Sequence, residues 1–440
     1  MPDGPRRMVT RLLRRNRLTL ASASKTLAGT MAARLATMVA ALVAAGLLGA
    51  EGFGIYAFLL ATVGLSSGVG LMGIAPLVTR EVARARQGDA GEFAAVALVS
   101  TAVTAGVIAA MSLVVIGMFD FGGMGGNTGG WMGVGLVAWT IASAVSVIAQ
   151  AILVGHQAFS AAAAVLTFRS GLVAVATGLG ASTGDIYVTA VVVLGTECVV
   201  AVCTVAYIAS RQMIRLVIGM SSARTKLPHI ARVGSGSGLA SLLVQVALWG
   251  AQAVLLAQEG GAAANGVFAV AVRIALGASV IPTALTTVLL PILSSGQTGV
   301  SRRDSIMMPV GLAAACALAV GAALPVLLAH WLKDYADSKD VFFIMLAGSV
   351  AVVANAALGA VALAGGYVRT WVLSDVFLAL AMSFSYWLLA PTLGAAGVAI
   401  AYGVGYLASV VVLLPAVAAR RGERSLWGLG RRHSSAEAVR

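Results

Sequence analysis

Long apolar runs alternate along the chain with short polar segments that hold most of the charge. The runs fall near 26–48, 52–78, 93–117, 131–153, 159–181 and 187–209, and again near 235–257, 265–293, 306–331, 341–364, 371–391 and 394–417. About twenty apolar residues in a helix cross the hydrocarbon core of a bilayer. The runs are continuous and rich in Ala, Leu, Val and Gly. A barrel strand would instead be short and alternate apolar with polar, and lipid tolerates no other open backbone. The prediction is an all-α polytopic membrane protein of about twelve transmembrane helices.

Within two of these runs the polar residues keep a helical spacing. Thr26, Thr30, Arg34 and Thr37 lie on one face of the first predicted span, and Ser237, Ser241, Gln245, Trp249 and Gln252 on one face of the seventh. The two stripes coincide when the first is shifted by about 211 residues: Thr26 falls on Ser237, Thr30 on Ser241 and Arg34 on Gln245. Nearly the same shift lays Gly54-Ile55-Tyr56-Ala57 on Gly266-Val267-Phe268-Ala269, and Pro76 and Pro291 end the matching spans. The chain therefore reads as two six-helix lobes, 26–209 and 235–417. A basic N-terminal segment (1–25), an inter-lobe linker (210–234) and a basic tail (418–440) complete it. An even number of spans per lobe makes this a parallel repeat, with a site expected between the lobes near mid-membrane. Ser and Thr in such stripes also bond their own backbone or pack between helices, and a core Trp249 is as natural as one that stacks on a sugar.

Charge sharpens this picture. Charged residues are only 10% of the chain, hydrophobic residues 60%, and the mean hydropathy is +0.96. A soluble domain carries roughly 25% charged residues. The net charge of +13 sits between apolar runs and not on one face, which excludes a nucleic-acid partner. Of the 29 Lys and Arg, all but those inside spans and Lys333 and Lys339 fall on one side when both termini are cytoplasmic. The predicted location is the cell (inner) membrane, multi-pass, with both termini cytoplasmic. Residues before the first run are too basic and too long for a typical signal n-region, so a retained first span is expected. The basic N-terminal segment lies either on anionic membrane lipid or free as a tail.

Five ionisable residues resist placement in loops: Arg34, Arg169, Glu197, Arg273 and Asp375. Charge at bilayer depth needs a partner or water. Arg169 and Glu197, on adjacent spans, read as a structural ion pair or as coupling groups, and Asp375 as an interfacial residue or a coupling group. Arg34 and Arg273, one in each lobe with no obvious carboxylate at their depth, suit a phosphate or pyrophosphate. The candidate substrate-binding residues are thus Arg34, Arg273, Gln245, Trp249, Gln252, Thr30 and Thr37. No catalytic residue and no metal ligand set is expected. Cys198, Cys203 and Cys316 lie in apolar runs, and His156, His229, His330 and His433 are scattered. Gly64-Leu65-Ser66-Ser67-Gly68 has the spacing of a nucleophile elbow but lies in a membrane helix, where small residues serve packing. No Walker loop is present, so no cofactor is expected beyond a coupling ion, H+ or Na+.

Gly49-Ala50-Glu51-Gly52-Phe53-Gly54-Ile55-Tyr56, then Gly73 and Thr79-Arg80-Glu81-Val82-Ala83, resembles the second-span signature of polysaccharide exporters of the MOP superfamily. Val267 to Ile274 with Leu290-Pro291 is similar to its eighth-span counterpart, and Gly394 to Ala401 to its last span. The resemblance implies a MATE/MOP-like fold of two lobes around a central cavity. It further implies an O-antigen-type flippase whose cargo is a lipid-linked oligosaccharide on polyprenyl pyrophosphate, held by Arg34 and Arg273. A polysaccharide polymerase and chain-length proteins would be further partners. The competing readings are an ion-coupled multidrug antiporter of the same fold and a membrane-embedded glycan polymerase or ligase. Acidic or aromatic cavity walls would favour the former, a large charged outer loop the latter.

Overall fold

The computed structural model describes residues 5–71, 74–84, 87–118, 129–214, 228, 242–294, 302–365 and 367–418. Among these, regular structure is helical throughout. The helices are α1 (Pro5–Leu71), α2 (Ile74–Arg84), α3 (Gln87–Met118), α4 (Gly129–Gly155), α5 (Phe159–Ala181), α6 (Ile186–Ser210), α7 (Leu242–Leu256), α8 (Gly261–Ser294), α9 (Arg302–His330), α10 (Lys339–Ala364) and α11 (Val368–Ala418). A 3₁₀ turn, Lys333–Ser338, joins α9 to α10. Nine helices among the described residues are long and apolar enough to cross a membrane, and α7 is a shorter apolar one. Large side chains such as Leu318, Val202, Trp387 and Phe384 are about two-thirds exposed or more, as lipid-facing positions are.

The two longest helices are each folded at one glycine. In α1, Gly49 has φ 71° and ψ 179°, a region open only to glycine, and in α11 Gly394 has φ 54° and ψ −131°. Thr30 to Met38, before Gly49, and Leu60 to Gly64, after it, line the same cavity, so the chain doubles back there. Around Gly394 the return arm packs Gly405 against Met382 of the outgoing arm. Each folded helix therefore supplies two arms. The expected second span is shorter than the apolar run suggests. It ends at Leu71, and the residues that follow open a separate amphipathic helix, α2. Ile74, Leu77, Val78 and Val82 of α2 are buried, and Thr79 Oγ1 donates to the Ala151 carbonyl of α4 at 3.2 Å. The hydrophobic run extended past Leu71 because α2 needs one apolar face of its own. The α6 start has a local cause: Gly184 (φ 72°) turns the chain, and the Asp185 carboxylate accepts from the Tyr187 and Val188 amides.

Two segments that match in sequence also meet in space. A Cβ on Gly54 would strike the Ala262 carbonyl oxygen, and one on Gly266 would strike the Ala50 carbonyl oxygen. Matching residues of the two repeats thus meet as equivalent partners, at the point where the helix backbones approach too closely for any side chain. Asn265 fastens the crossing, its Nδ2 donating to the Gly54 carbonyl at 2.7 Å. The same end carries a clasp: Trp331 Nε1 donates to Leu42 O (3.1 Å), and Tyr335 Oη to Gly49 O (3.1 Å) and Ala45 O (3.4 Å). Both tyrosine acceptors lie at the bend, one at Gly49 itself and one a turn before it.

From this crossing the first arm of α1 runs antiparallel along α8. Met38 lies against Gly277, and Arg34 Nη1 reaches Thr283 Oγ1 at 3.2 Å. The second arm runs along α7 in the same way: Trp249 Nε1 donates to Thr62 Oγ1 at 3.0 Å, and Gln245 lies opposite Gly68. Ser237, Ser241, most of the linker, the tail and the loop holding Asp120 lie outside the described residues.

Candidate functional site

A cavity of about 750 Å³ opens between α1, α4, α5, α6 and α8. Its walls carry Thr30, Arg34 and Thr37 from α1, Ser143 and Gln150 from α4, Arg169 and Ser170 from α5, Glu197 from α6, and Arg273 from α8. At ~1.5 Å per residue, Arg34, Arg169, Glu197 and Arg273 all lie roughly 17–22 Å from the ends of their helices on the Gly49 side. They therefore share one depth within a core of about 30 Å.

The three arginines have different surroundings. Arg34 is exposed to the cavity and, among the described residues, donates only to a neutral hydroxyl, that of Thr283. Arg273 is half-buried and has neither a hydrogen bond nor an ion pair among the described residues. Arg169 is fully engaged. Its Nε donates to Glu197 Oε2 at 2.8 Å and its Nη2 to Glu197 Oε1 at 2.9 Å, with Ser143 Oγ a further acceptor at 3.3 Å. Side-chain exposures of 19% for Arg169 and 8% for Glu197 place this bidentate pair in the wall. Glu197 is the one carboxylate among the cavity-lining residues, so two guanidinium groups face the space without a counter-ion among the described residues. Such forks are built for planar, doubly oxygenated anions.

Of the residues singled out from the sequence, Thr30, Arg34, Thr37, Arg169, Glu197 and Arg273 come together here. Thr37 bonds its own helix, Oγ1 to Ala33 O at 2.8 Å. Gln245, Trp249 and Gln252 are not in the cavity lining. The polar stripe of α7 faces the second arm of α1, where the Trp249 ring packs 5.6 Å from Phe58 and its N–H is taken by Thr62. Of the two readings open for Trp249, the contacts it makes here are those of a core residue. The indole fills a seam between the repeats, where Trp249 is satisfied by Thr62 while Gln252, further along the stripe, keeps a buried Oε1 without a hydrogen bond among the described residues. Asp375 is half-buried on α11, near Tyr406, and also lies away from the cavity. Ser143, Gln150 and Ser170 were not singled out from the sequence as site residues. Isolated polar residues on apolar helices carry no periodic signal.

No family model matches the chain, and no curated protein matches it. Solved structures do. A lipid II flippase, MurJ, in an inward closed conformation superposes with TM-score 0.70 at 12% identity, covering 89% of this chain and 87% of that one. A multidrug-resistance MATE family transporter of the MOP superfamily, inward-facing, gives TM-score 0.64 at 19% identity over 89% and 93% of the two chains. The MATE multidrug transporter DinF-BH in complex with R6G gives 0.63 at 14% over 91% and 94%. The chain has the fold of the MOP superfamily transporters.

Proposed function

We propose that this protein is a flippase that moves a polyprenyl-pyrophosphate-linked oligosaccharide across the cell membrane by alternating access, for surface polysaccharide synthesis. The observation that carries the reading is the pair Arg34 and Arg273, two guanidinium groups at one depth, facing one cavity without a carboxylate partner among the described residues. A diphosphate diester bears two negative charges on adjacent phosphorus centres and accepts the forked donors of both arginines. A space of about 750 Å³ holds the diphosphate and the first sugars, with Gln150, Thr30 and Ser170 lining it as partners for hydroxyls. A structural relative that is itself a lipid flippase supports a lipid-borne cargo. Both termini lie in the cytoplasm on this reading, where the excess of Lys and Arg faces anionic lipid.

The multidrug reading shares the fold and is separated from this one by charge, since a cavity with two uncompensated cations repels cationic drugs. The test is transport in vesicles containing a fluorescent short-chain polyprenyl-pyrophosphoryl oligosaccharide. Loss of one charge-assisted contact costs about 2 kcal/mol, so Arg34→Ala and Arg273→Ala should each weaken binding roughly 30-fold. Undiminished binding and flipping in both variants overturns the proposal, and drug export by the wild type that survives both variants replaces it with the antiporter reading.

A further inference from the structure

The bidentate pair in the cavity wall has a consequence for which anion the cavity accepts, given the lipid-pyrophosphate reading on which it rests. Three arginines of one depth face or flank the space, yet only two are available as net charge. The third is neutralised by Glu197, which takes both Nε and Nη2 of Arg169 in parallel bonds. Ser143 holds the same Nη2, so the guanidinium is fixed from two helices besides its own. Around Glu197 the charged or titratable groups are Arg169 on α5, Tyr56 on α1, Cys198 beside it on α6, and across the cavity Arg34 and Arg273.

We propose that Glu197 is a positioning residue that determines charge specificity: by locking Arg169 in a neutral pair it sets the cavity at two uncompensated cations and so selects a doubly charged diphosphate diester. The third charge of a head group finds no guanidinium of its own in such a cavity, so its desolvation offsets the pull of the other two, and a head group with a single charge leaves a buried cation without a counter-ion. A third free guanidinium would also hold the cargo too tightly to release. At an effective dielectric of ~20 and about 10 Å, one added cation strengthens binding of a trianion over a dianion about tenfold.

The test compares three isoprenoid anions with one tail: a farnesyl phosphodiester of a sugar, farnesyl-pyrophosphoryl N-acetylglucosamine, and farnesyl pyrophosphate. Near about pH 8 these carry one, two and three charges. Binding to the purified full chain is read by calorimetry. In the wild type, farnesyl pyrophosphate binds no tighter than the diphosphate diester. In Glu197→Gln, which keeps an acceptor for Arg169, the ratio of trianion to dianion affinity rises about tenfold. The double variant Arg169→Gln/Glu197→Gln removes both charges and returns the ratio to the wild-type value, which also controls for a Glu197→Gln chain that folds poorly. Parallel changes toward all three anions, or a double variant that loses diester binding, overturn the inference while leaving the pyrophosphate reading intact. A wild type that binds none of the three, and does not differ from Arg34→Ala, overturns that reading as well.

Discussion

Replacing Gly266 by Ala tests the reciprocal crossing of the two repeats directly. The added Cβ has no room, because the Ala50 carbonyl oxygen and the Gly54 backbone already occupy its place. The obstacle is helix backbone, which cannot swing aside as a flexible side chain would. The seam must therefore separate, and overpacking of this kind costs about 1–3 kcal/mol. That cost falls on the arrangement in which the Gly49 end is shut and is absent once the lobes part there. The ratio of shut to open molecules should drop roughly 5- to 150-fold, more where Gly54→Ala is added. Spin labels at Thr183 and Asp337, both exposed near this end on opposite repeats, report the separation after Cys198, Cys203 and Cys316 are replaced by Ser. A longer-distance population should appear in Gly266→Ala. Gly311→Ala is the matched control, since a Cβ at Gly311 meets nothing within 4 Å, and it should leave the distance distribution unchanged. An unaltered distribution in Gly266→Ala would refute the reasoning, because a backbone in true contact cannot absorb a methyl group without moving.

Two further outcomes follow from the geometry. Gly49→Ala places a side chain at φ 71° and ψ 179°, which costs about 1–3 kcal/mol, and thermal unfolding in detergent should begin several degrees lower. Trp249→Phe removes the 3.0 Å bond to Thr62; it should cost about 1 kcal/mol of stability yet leave affinity for a diphosphate lipid within twofold, where a sugar-stacking role would lower it at least tenfold.

Periodic and repeated features of the fold could be read from the chain. Apolar runs such as 159–181 reappear as helices with nearly the same bounds, because in lipid each run must satisfy its backbone internally. The match of Gly54 with Gly266 was visible as a repeat, but only coordinates reveal that the two copies of the motif touch each other. Helical spacing shows which residues share a face and is silent about what that face meets. For this reason the stripe of α1 and the stripe of α7 looked alike, although one lines a cavity and the other a seam. Arg34, Arg169, Glu197 and Arg273 stood out because charge at bilayer depth is costly wherever it faces. The clasp of Trp331 and Tyr335 had no such signal, since an aromatic near a helix end is the ordinary tenant of a membrane interface.

That clasp also constrains the surroundings in which the lobes can part. When Tyr335 and Trp331 withdraw, the hydroxyl of Tyr335 leaves the Ala45 and Gly49 carbonyls and the Trp331 N–H leaves that of Leu42. A hydroxyl or indole N–H stripped of its acceptor in hydrocarbon costs several kcal/mol, whereas water or a lipid phosphate accepts from it at once. Separation at this end is therefore a hydration event. It proceeds where the bend at Gly49 reaches the head-group layer and stalls in a bilayer thick enough to bury that bend, so the thickness of the host membrane becomes a determinant of turnover.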